Sequence, residues 1–247
     1  MSNDKYRILC TRPLAASSIA VAEEGGLLID VKDFIQIKPL YNEALIGEHN
    51  IMQVFAQDTV QVFTSANAVK ILADDYFHQG STYFVINNMK ICCIAGNTRK
   101  LVEEKFHPYQ ILAEASYGKD LANAIIQRGD IEAVNFFCGS QRRNELPDML
   151  KAANIAVTEY VIYENIPTPE VTVQDYDGVF FFSPSAVKSY FSANTLSPGT
   201  VCFAIGRTTA AALQEHTDNK IIMSTSTYEE SMVQTAIFYF NNINCYE

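Results

Sequence analysis

Two short stretches of the chain, VFTSANAV (62–69) and FFFSPSAV (180–187), place a serine hydroxyl at the end of an apolar run. In each stretch the serine, Ser65 or Ser183, is followed by two residues and then by an Ala-Val pair. This pattern predicts a buried strand that ends where a helix begins. At such a junction a hydroxyl and the first N–H groups of the helix can bind the oxygen atoms of a ligand. The same binding chemistry is therefore predicted at two places.

Residues of the same kind occur in these two stretches and after the other apolar runs of the chain. The small and hydroxyl residues are Thr64, Gly96, Asn97, Thr98, Gly139, Ser185, Gly206, Thr208 and Thr227. Arginines also follow these runs, at Arg12, Arg99, Arg142, Arg143 and Arg207. Guanidinium groups, hydroxyls and helix-start N–H groups together suit an anionic ligand. For any single hydroxyl, capping a helix is the favoured role and needs no ligand, so the prediction depends on the whole set.

The pattern occurs in both halves of the chain. Ser65 corresponds to Ser183, Gly96 to Gly206 and Tyr117 to Tyr228. Two further pairs precede these in the same order: RILCTRP (7–13) with NFFCGSQ (135–141), and DFIQIKP (33–39) with YVIYENIP (160–167). Each pair is weak alone, but the shared order predicts that the chain contains two copies of one unit.

The elements that must position these residues follow from the alternation of the sequence. Short β-branched or aromatic runs alternate with stretches of helical period, which predicts α/β units with parallel sheets and helices on both faces. The small, hydroxyl and arginine residues then fall at the carboxyl ends of the strands. In open α/β sheets this is the edge where ligands bind.

The composition excludes several classes of function. The chain has 247 residues, of which 48% are hydrophobic and 19% charged, and its formal net charge is -10. No basic run could follow a phosphate backbone, so no nucleic-acid partner is expected. No apolar stretch reaches the roughly 18 residues of a membrane span, and the beginning of the chain has too short an apolar run for a signal peptide. We therefore expect no membrane association and a cytoplasmic location.

The cysteines and histidines give no sign of a metal centre. The six cysteines contain no CxxC pair and no ligand-like histidine spacing, so no metal is expected. Four of them, Cys10, Cys92, Cys138 and Cys202, lie in apolar runs and are predicted to be core residues. The four histidines are scattered outside the apolar runs, and none is a candidate catalytic residue.

An ordered set of motifs resembles the uroporphyrinogen-III synthase family across nearly the whole chain. The motifs are ILCTRP, VFTSANAV, IAGNT, CGSQRRNELPDML, VIYENIP, FFFSPSAV, AIGRTT and TYEESM. The resemblance implies two flavodoxin-like domains with a cleft between them. Domain 1 would comprise residues 1–37 and 170–247, and domain 2 residues 42–162. A two-stranded linker, about 38–41 and 163–169, would join them.

The resemblance also implies a reaction. Members of the family cyclise hydroxymethylbilane, a linear tetrapyrrole rich in carboxylates, with inversion of the last pyrrole ring and loss of water. No metal or organic cofactor is implied, and we expect a monomer. Tyr163 in VIYENIP corresponds to the family's functional tyrosine and is the candidate catalytic donor, with Tyr160 as the competing choice. The hydroxyl, glycine and Asn97 positions given above would bind substrate, with Arg12 and Arg142 as charge partners.

Two other functions stay open at this point. One is a two-lobed, non-catalytic binding protein for an anionic metabolite. The other is a sugar-phosphate isomerase, whose Ser/Thr-rich turns resemble SPSAV. The net charge of -10 would repel an anionic substrate at long range. Because physiological salt screens charges beyond about 8 Å, we expect local donors to decide affinity.

Overall fold

The computed structural model describes residues 5–45, 53–55, 59–76, 89–107 and 109–242. The strands are β1 (Tyr6–Cys10), β2 (Leu27–Val31), β3 (Ile35–Pro39), β4 (Val60–Phe63), β5 (Met89–Ile94), β6 (Tyr109–Ala115), β7 (Ala133–Gly139), β8 (Ala156–Pro167), β9 (Gly178–Phe181), β10 (Val201–Ala204) and β11 (Ile221–Met223). The α-helices are α1 (Ala16–Glu24), α2 (Ala66–Ile71), α3 (Asn97–Lys105), α4 (Gly118–Arg128), α5 (Glu145–Ala152), α6 (Pro184–Phe191), α7 (Arg207–Gln214) and α8 (Glu229–Asn242). A 3₁₀ turn covers Glu43–Leu45, and a π-helical turn, Leu72–Tyr76, continues α2.

The chain divides into two compact units. Unit 1 comprises Met1–Gln36 together with Ile166–Glu247, and unit 2 comprises Ile37–Asn165. The chain passes from one unit to the other within β3 and again within β8. No helix in the described part of the chain is long and apolar enough to cross a membrane.

Unit 1 contains a five-stranded sheet in the order β11-β10-β9-β1-β2. All four neighbouring pairs are parallel. Counted along the chain this is the order 5-4-3-1-2, which is that of flavodoxin-like folds. Gly178 at the start of β9 allows close packing, since a Cβ there would lie 3.0 Å from both Ile8 Cδ1 and Phe203 Cε2.

Unit 2 contains a six-stranded sheet in the order β3-β8-β7-β4-β5-β6. The pairs formed by β4 to β8 are parallel. Five neighbouring strands, β8-β7-β4-β5-β6, repeat the order of unit 1 if β7 is counted as the first strand. In this correspondence β7 matches β1, β4 matches β9, and β5 matches β10. The predicted repeat is therefore present, and each sheet draws strands from both halves of the chain.

Both faces of each sheet are covered by helices. In unit 1 one face packs Phe180 and Phe203 against Met232 of α8, and the other packs Val179 and Phe181 with residues of α6 and α7. Successive strand residues point to opposite faces, so a sheet covered on both sides requires continuous apolar strands. This explains the apolar sequence VFF in β9. Polar side chains become accessible where the strands end.

Candidate active site

The predicted site residues lie at the carboxyl ends of the strands in both units. Because β1, β2 and β9 to β11 in unit 1, and β4 to β8 in unit 2, are parallel, the carboxyl ends of these strands share one edge of each sheet. Unit 2 carries Thr64, Ser65, Gly96, Asn97, Thr98, Gly139 and Arg142 after or at the ends of β4, β5 and β7. Tyr163 lies within β8, opposite the last residue of β7. Unit 1 carries Arg12, Ser183, Ser185, Gly206, Thr208 and Thr227, after β1, β9, β10 and β11.

Tyr163 lies directly on Gly139. The two residues are partners across β8 and β7, where the register shifts after Cys138. A Cβ built on Gly139 would be 2.6 Å from Tyr163 Cε2 and 2.7 Å from Cζ, which no real Cβ tolerates. The Ser140 N–H also donates to the Tyr163 carbonyl at 2.8 Å. The missing side chain of Gly139 therefore creates the space that the phenol ring occupies.

The Tyr163 phenol is buried and interacts with Ser65. Only 7% of the residue is exposed. Burial raises the pKa of the phenol, while a hydrogen bond with the Ser65 side chain acts in the opposite direction. The net shift of the pKa is upward, so Tyr163 keeps its proton at neutral pH and can act as a hydrogen-bond donor.

Tyr160 has a different environment. Its ring stacks on Phe137 with centroids 5.1 Å apart, and Phe137 in turn stacks on Phe55 and Phe63. Burial raises the pKa of Tyr160, and no other cause contributes. Both tyrosines belong to the same buried cluster of unit 2. Tyr160 lies in an aromatic stack there, whereas Tyr163 contacts the hydroxyl of Ser65, just after β4.

Ser65 and Ser183 both cap the helices that follow them. Ser65 Oγ accepts a hydrogen bond from the Asn67 N–H at 3.2 Å, at the start of α2. Ser183 Oγ accepts from the Ala186 N–H at 3.1 Å, at the start of α6. Ser183 Oγ also lies 3.0 Å from Ser185 Oγ. Both serines therefore cap a helix. Each also has a second hydroxyl group beside it, that of Tyr163 for Ser65 and that of Ser185 for Ser183.

The strand-end residues that follow β5 differ in accessibility. Gly96 adopts φ 82°, a conformation that side chains disfavour, and α3 begins at the next residue. Asn97 is half-buried, while Thr98 is only 3% exposed. In unit 1 the corresponding Thr208 is half-buried in the first turn of α7.

Both candidate arginines are already paired with carboxylates. Arg12 Nη2 donates to Glu229 Oε2 at 3.0 Å. Arg142 forms an ion pair with Glu159, and its Nη1 donates to Asn144 Oδ1 at 2.9 Å. The sequence motifs did not predict Glu229 or Glu159 as partners of these arginines. Glu229 lies within the TYEESM motif, where an acidic residue at a helix start was the available signal.

Arg99 is paired as well. Its Nε donates to Glu103 Oε1 at 2.8 Å and its Nη1 to Glu114 Oε2 at 3.0 Å. Among the described residues, no group of three or more His, Cys, Asp or Glu side chains is arranged to hold a metal ion.

The comparisons with known proteins identify the family. The family model described as uroporphyrinogen-III synthase HemD matches residues 26–234. The chain belongs to the uroporphyrinogen-III synthase family. A search of curated protein sequences found no match.

Solved structures with the same fold come from this family. The crystal structure of uroporphyrinogen-III synthetase from Helicobacter pylori is similar with a TM-score of 0.65 and 15% identity, over 94% of this chain and 99% of that chain. A mutant uroporphyrinogen III synthase from the extremely thermophilic bacterium Thermus thermophilus is similar with a TM-score of 0.59 and 13% identity, over 97% of this chain and 99% of that chain. At such identities the likeness shows the fold alone, a two-domain α/β arrangement.

Family membership confirms the main functional prediction, an enzyme of the lyase class that acts in porphyrin and haem biosynthesis. The family implies a small tetrapyrrole as substrate. The alternative, a non-catalytic binding protein for an anionic metabolite, is not supported.

Proposed function

We propose that this chain closes hydroxymethylbilane to uroporphyrinogen III with Tyr163 as the hydrogen-bond donor to the departing hydroxyl. The observation that carries the assignment of Tyr163 is its contact with Gly139 and Ser65, which places a protonated phenol at the carboxyl edge of unit 2. A phenol suits this role because it donates a hydrogen bond without adding a full charge.

A chain of hydrogen bonds through Ser65 supports donation from the Tyr163 hydroxyl to the substrate. Ser65 Oγ accepts from the Asn67 N–H, so its own hydrogen can point toward the Tyr163 oxygen. The phenol hydrogen is then left for the substrate. Successive donors of this kind polarise one another, which strengthens the last donor of the chain.

The reaction proceeds by loss of the terminal hydroxyl as water, assisted by the Tyr163 O–H. The electron pair of the adjacent pyrrole replaces the broken C–O bond and gives a cationic azafulvene. The last pyrrole ring, at the other end of the chain, then attacks the azafulvene carbon through its substituted α-carbon and gives the spirocyclic intermediate. The bond from that α-carbon to the neighbouring methylene breaks, and the methylene forms a new bond to the free α-carbon of the same ring. Loss of the proton from this carbon gives the inverted macrocycle and balances the proton taken up by the departing water. Holding the two ends in place can supply effective molarities of roughly 10⁵ M or more.

The remaining strand-end residues are proposed to bind the carboxylates of the substrate. The set is Arg12, Thr64, Ser65, Gly96, Asn97, Thr98, Gly139, Arg142, Ser183, Ser185, Gly206, Thr208 and Thr227. Capping does not prevent this role at Ser183, because a hydroxyl that accepts one hydrogen bond still has a hydrogen to donate. The hydrogen of Ser65 is directed to the Tyr163 oxygen, so Ser65 would act on the substrate through Tyr163.

We also propose the organisation and setting of the enzyme. The functional domains would extend over 1–37 with 170–247 and over 42–162, with 38–41 and 163–169 as linkers. The enzyme would act as a monomer in the cytoplasm. In the part of the chain that the structure describes, five buried cysteines carry free thiols, as is common in reducing compartments. Light scattering after size-exclusion chromatography, and fractionation of cells, test these two statements.

The test of the reaction is direct. Purified protein is mixed with freshly prepared hydroxymethylbilane, the products are oxidised, and the porphyrin isomers are separated by chromatography. The expected product is isomer III, whereas hydroxymethylbilane alone closes to the non-inverted isomer I. A product mixture identical to that of the protein-free control would refute the proposal. Binding of hydroxymethylbilane without turnover would refute it as well.

A further inference from the structure

Glu229 is a buried carboxylate near the candidate substrate-binding arginine of unit 1. It is the first residue of α8 and is 6% exposed. Its Oε2 accepts from Arg12 Nη2 at 3.0 Å, and its Oε1 accepts from the Ala15 N–H at 2.7 Å. A buried charge is costly unless it is paired and hydrogen-bonded, so this carboxylate depends on the residues that follow β1.

Arg12 is held on two sides. Its guanidinium carbon lies 4.0 Å from the centroid of the Phe182 ring, and Glu229 holds one of its terminal nitrogens. The side chain is nevertheless 37% exposed. Arginine has five N–H donors. In the described part of the chain, the hydrogen bond that the Arg12 side chain makes is the one from Nη2 to Glu229. The other N–H donors lie in fixed directions in the plane of the guanidinium group and can donate to a carboxylate.

The surroundings of Arg12 supply hydroxyls as well as charge. Ser183 follows Phe182 directly, and its Oγ lies 3.0 Å from Ser185 Oγ. A planar cation stacked on Phe182 and two hydroxyls from the following residues therefore lie at the same edge of the sheet. This is a suitable arrangement for one carboxylate of an anionic substrate.

We propose that Glu229 is a positioning residue that fixes the Arg12 guanidinium over Phe182 so that Arg12 can bind a substrate carboxylate. The inference rests on the proposed function. The negative charge of Glu229 neutralises the positive charge of Arg12. Arg12 then binds the substrate carboxylate through directed N–H hydrogen bonds and not through a net charge of the pair. If Glu229 merely repelled the substrate, its removal would tighten binding instead.

The experiment compares three variants and a control with the wild type in the formation of isomer III. Glu229→Gln is expected to raise KM about tenfold with little change in kcat, because it removes a charge-assisted bond that orients Arg12. Arg12→Gln is expected to raise KM at least as much. The double variant is expected to be no worse than Arg12→Gln, because Glu229 acts through Arg12. The control, Glu230→Gln, removes the same charge from an exposed neighbour and should leave KM unchanged.

Folding is checked first by circular dichroism. If Glu229→Gln does not fold, Glu229→Asp replaces it, since Asp keeps the charge but is shorter by one methylene and should raise KM in the same way. An unchanged or lowered KM would overturn the inference, and so would an effect of the same size with and without Arg12. An inactive wild type would overturn the proposed function and this inference together. An active wild type with no effect at Glu229 would overturn this inference alone.

Discussion

The ring of Tyr163 packs on the α-carbon of Gly139, so closely that a methyl group on Gly139 would lie 2.6 Å from the ring. Gly139 was predicted as a substrate-binding position. The structure gives it a second role, which is to make room for the phenol ring. The position of the Tyr163 hydroxyl beside Ser65 therefore depends on a residue that has no side chain.

Replacing Gly139 by alanine should displace Tyr163. We expect Gly139→Ala to lower the free energy of unfolding by about 1–3 kcal/mol through overpacking. We expect isomer III formation to fall by about tenfold or more, because small misplacements of a reacting group are costly. Gly118→Ala is the matched control, since a Cβ there would lie 3.9 Å from its nearest neighbour, Leu146 Cβ. Equal activity of the two variants would contradict the role of Gly139 in placing the ring.

Removing the Tyr163 hydroxyl should shift the product from isomer III toward isomer I. For Tyr163→Phe we expect a loss of roughly 10- to 100-fold in the rate of isomer III formation, at or below the low end of what a positioned donor supplies, because this substrate loses its hydroxyl readily. Tyr160→Phe should be nearly silent, because that ring stacks in the core. Chromatography of the porphyrin isomers measures both. If Tyr160→Phe alone reduced isomer III, the donor would have been assigned to the wrong tyrosine.

Ser183 should contribute to stability as a helix cap. Ser183→Ala removes the acceptor of the Ala186 N–H, and loss of such a cap costs about 1 kcal/mol in the free energy of unfolding. Ser185→Ala removes only the neighbouring hydroxyl and should cost less. Urea denaturation of both variants tests this difference. A larger loss for Ser185→Ala would show that the cap at Ser183 contributes little.

The ion pair of Glu159 should make stability depend on pH in acid. Burial acts to raise the pKa of Glu159, but hydrogen bonds from Arg142 and Lys151 outweigh it and lower the pKa below the ordinary value of 4.5. The carboxylate therefore stabilises the fold above pH 4.5, and this contribution is lost as the pH falls through the lowered pKa.

The Glu159→Gln variant lacks the titratable carboxyl group at this position. It should be less stable than the wild type by about 1 kcal/mol at neutral pH, and the difference should shrink in acid. Thermal unfolding of both proteins at several pH values from neutral to acid measures this difference in stability. Glu132→Gln, at an exposed position, is the control. A difference that stayed constant with pH would mean that the charge of Glu159 is not the cause.

Local sequence patterns determined the elements and the position of most candidate residues. The alternation of apolar runs with helical segments predicted parallel α/β sheets, because burial of a strand on both faces requires a continuous apolar run. The serines in VFTSANAV and FFFSPSAV were correctly placed at strand ends, and both begin helices. These features depend on neighbouring residues, so the sequence alone reveals them.

The tertiary structure decided which remote segments meet. The first two strands of unit 1 come from the first half of the chain and its last three strands from the second half. An apolar run can pair with many others, and only the packing of the whole chain selects its neighbours and register. Gly139 and Tyr163 come together through a register shift between β7 and β8. Arg12 meets Glu229, 217 residues further along the chain, because β1 and the start of α8 lie in the same unit. No local pattern encodes such contacts, since their stability arises from burial that exists only after the chain has folded.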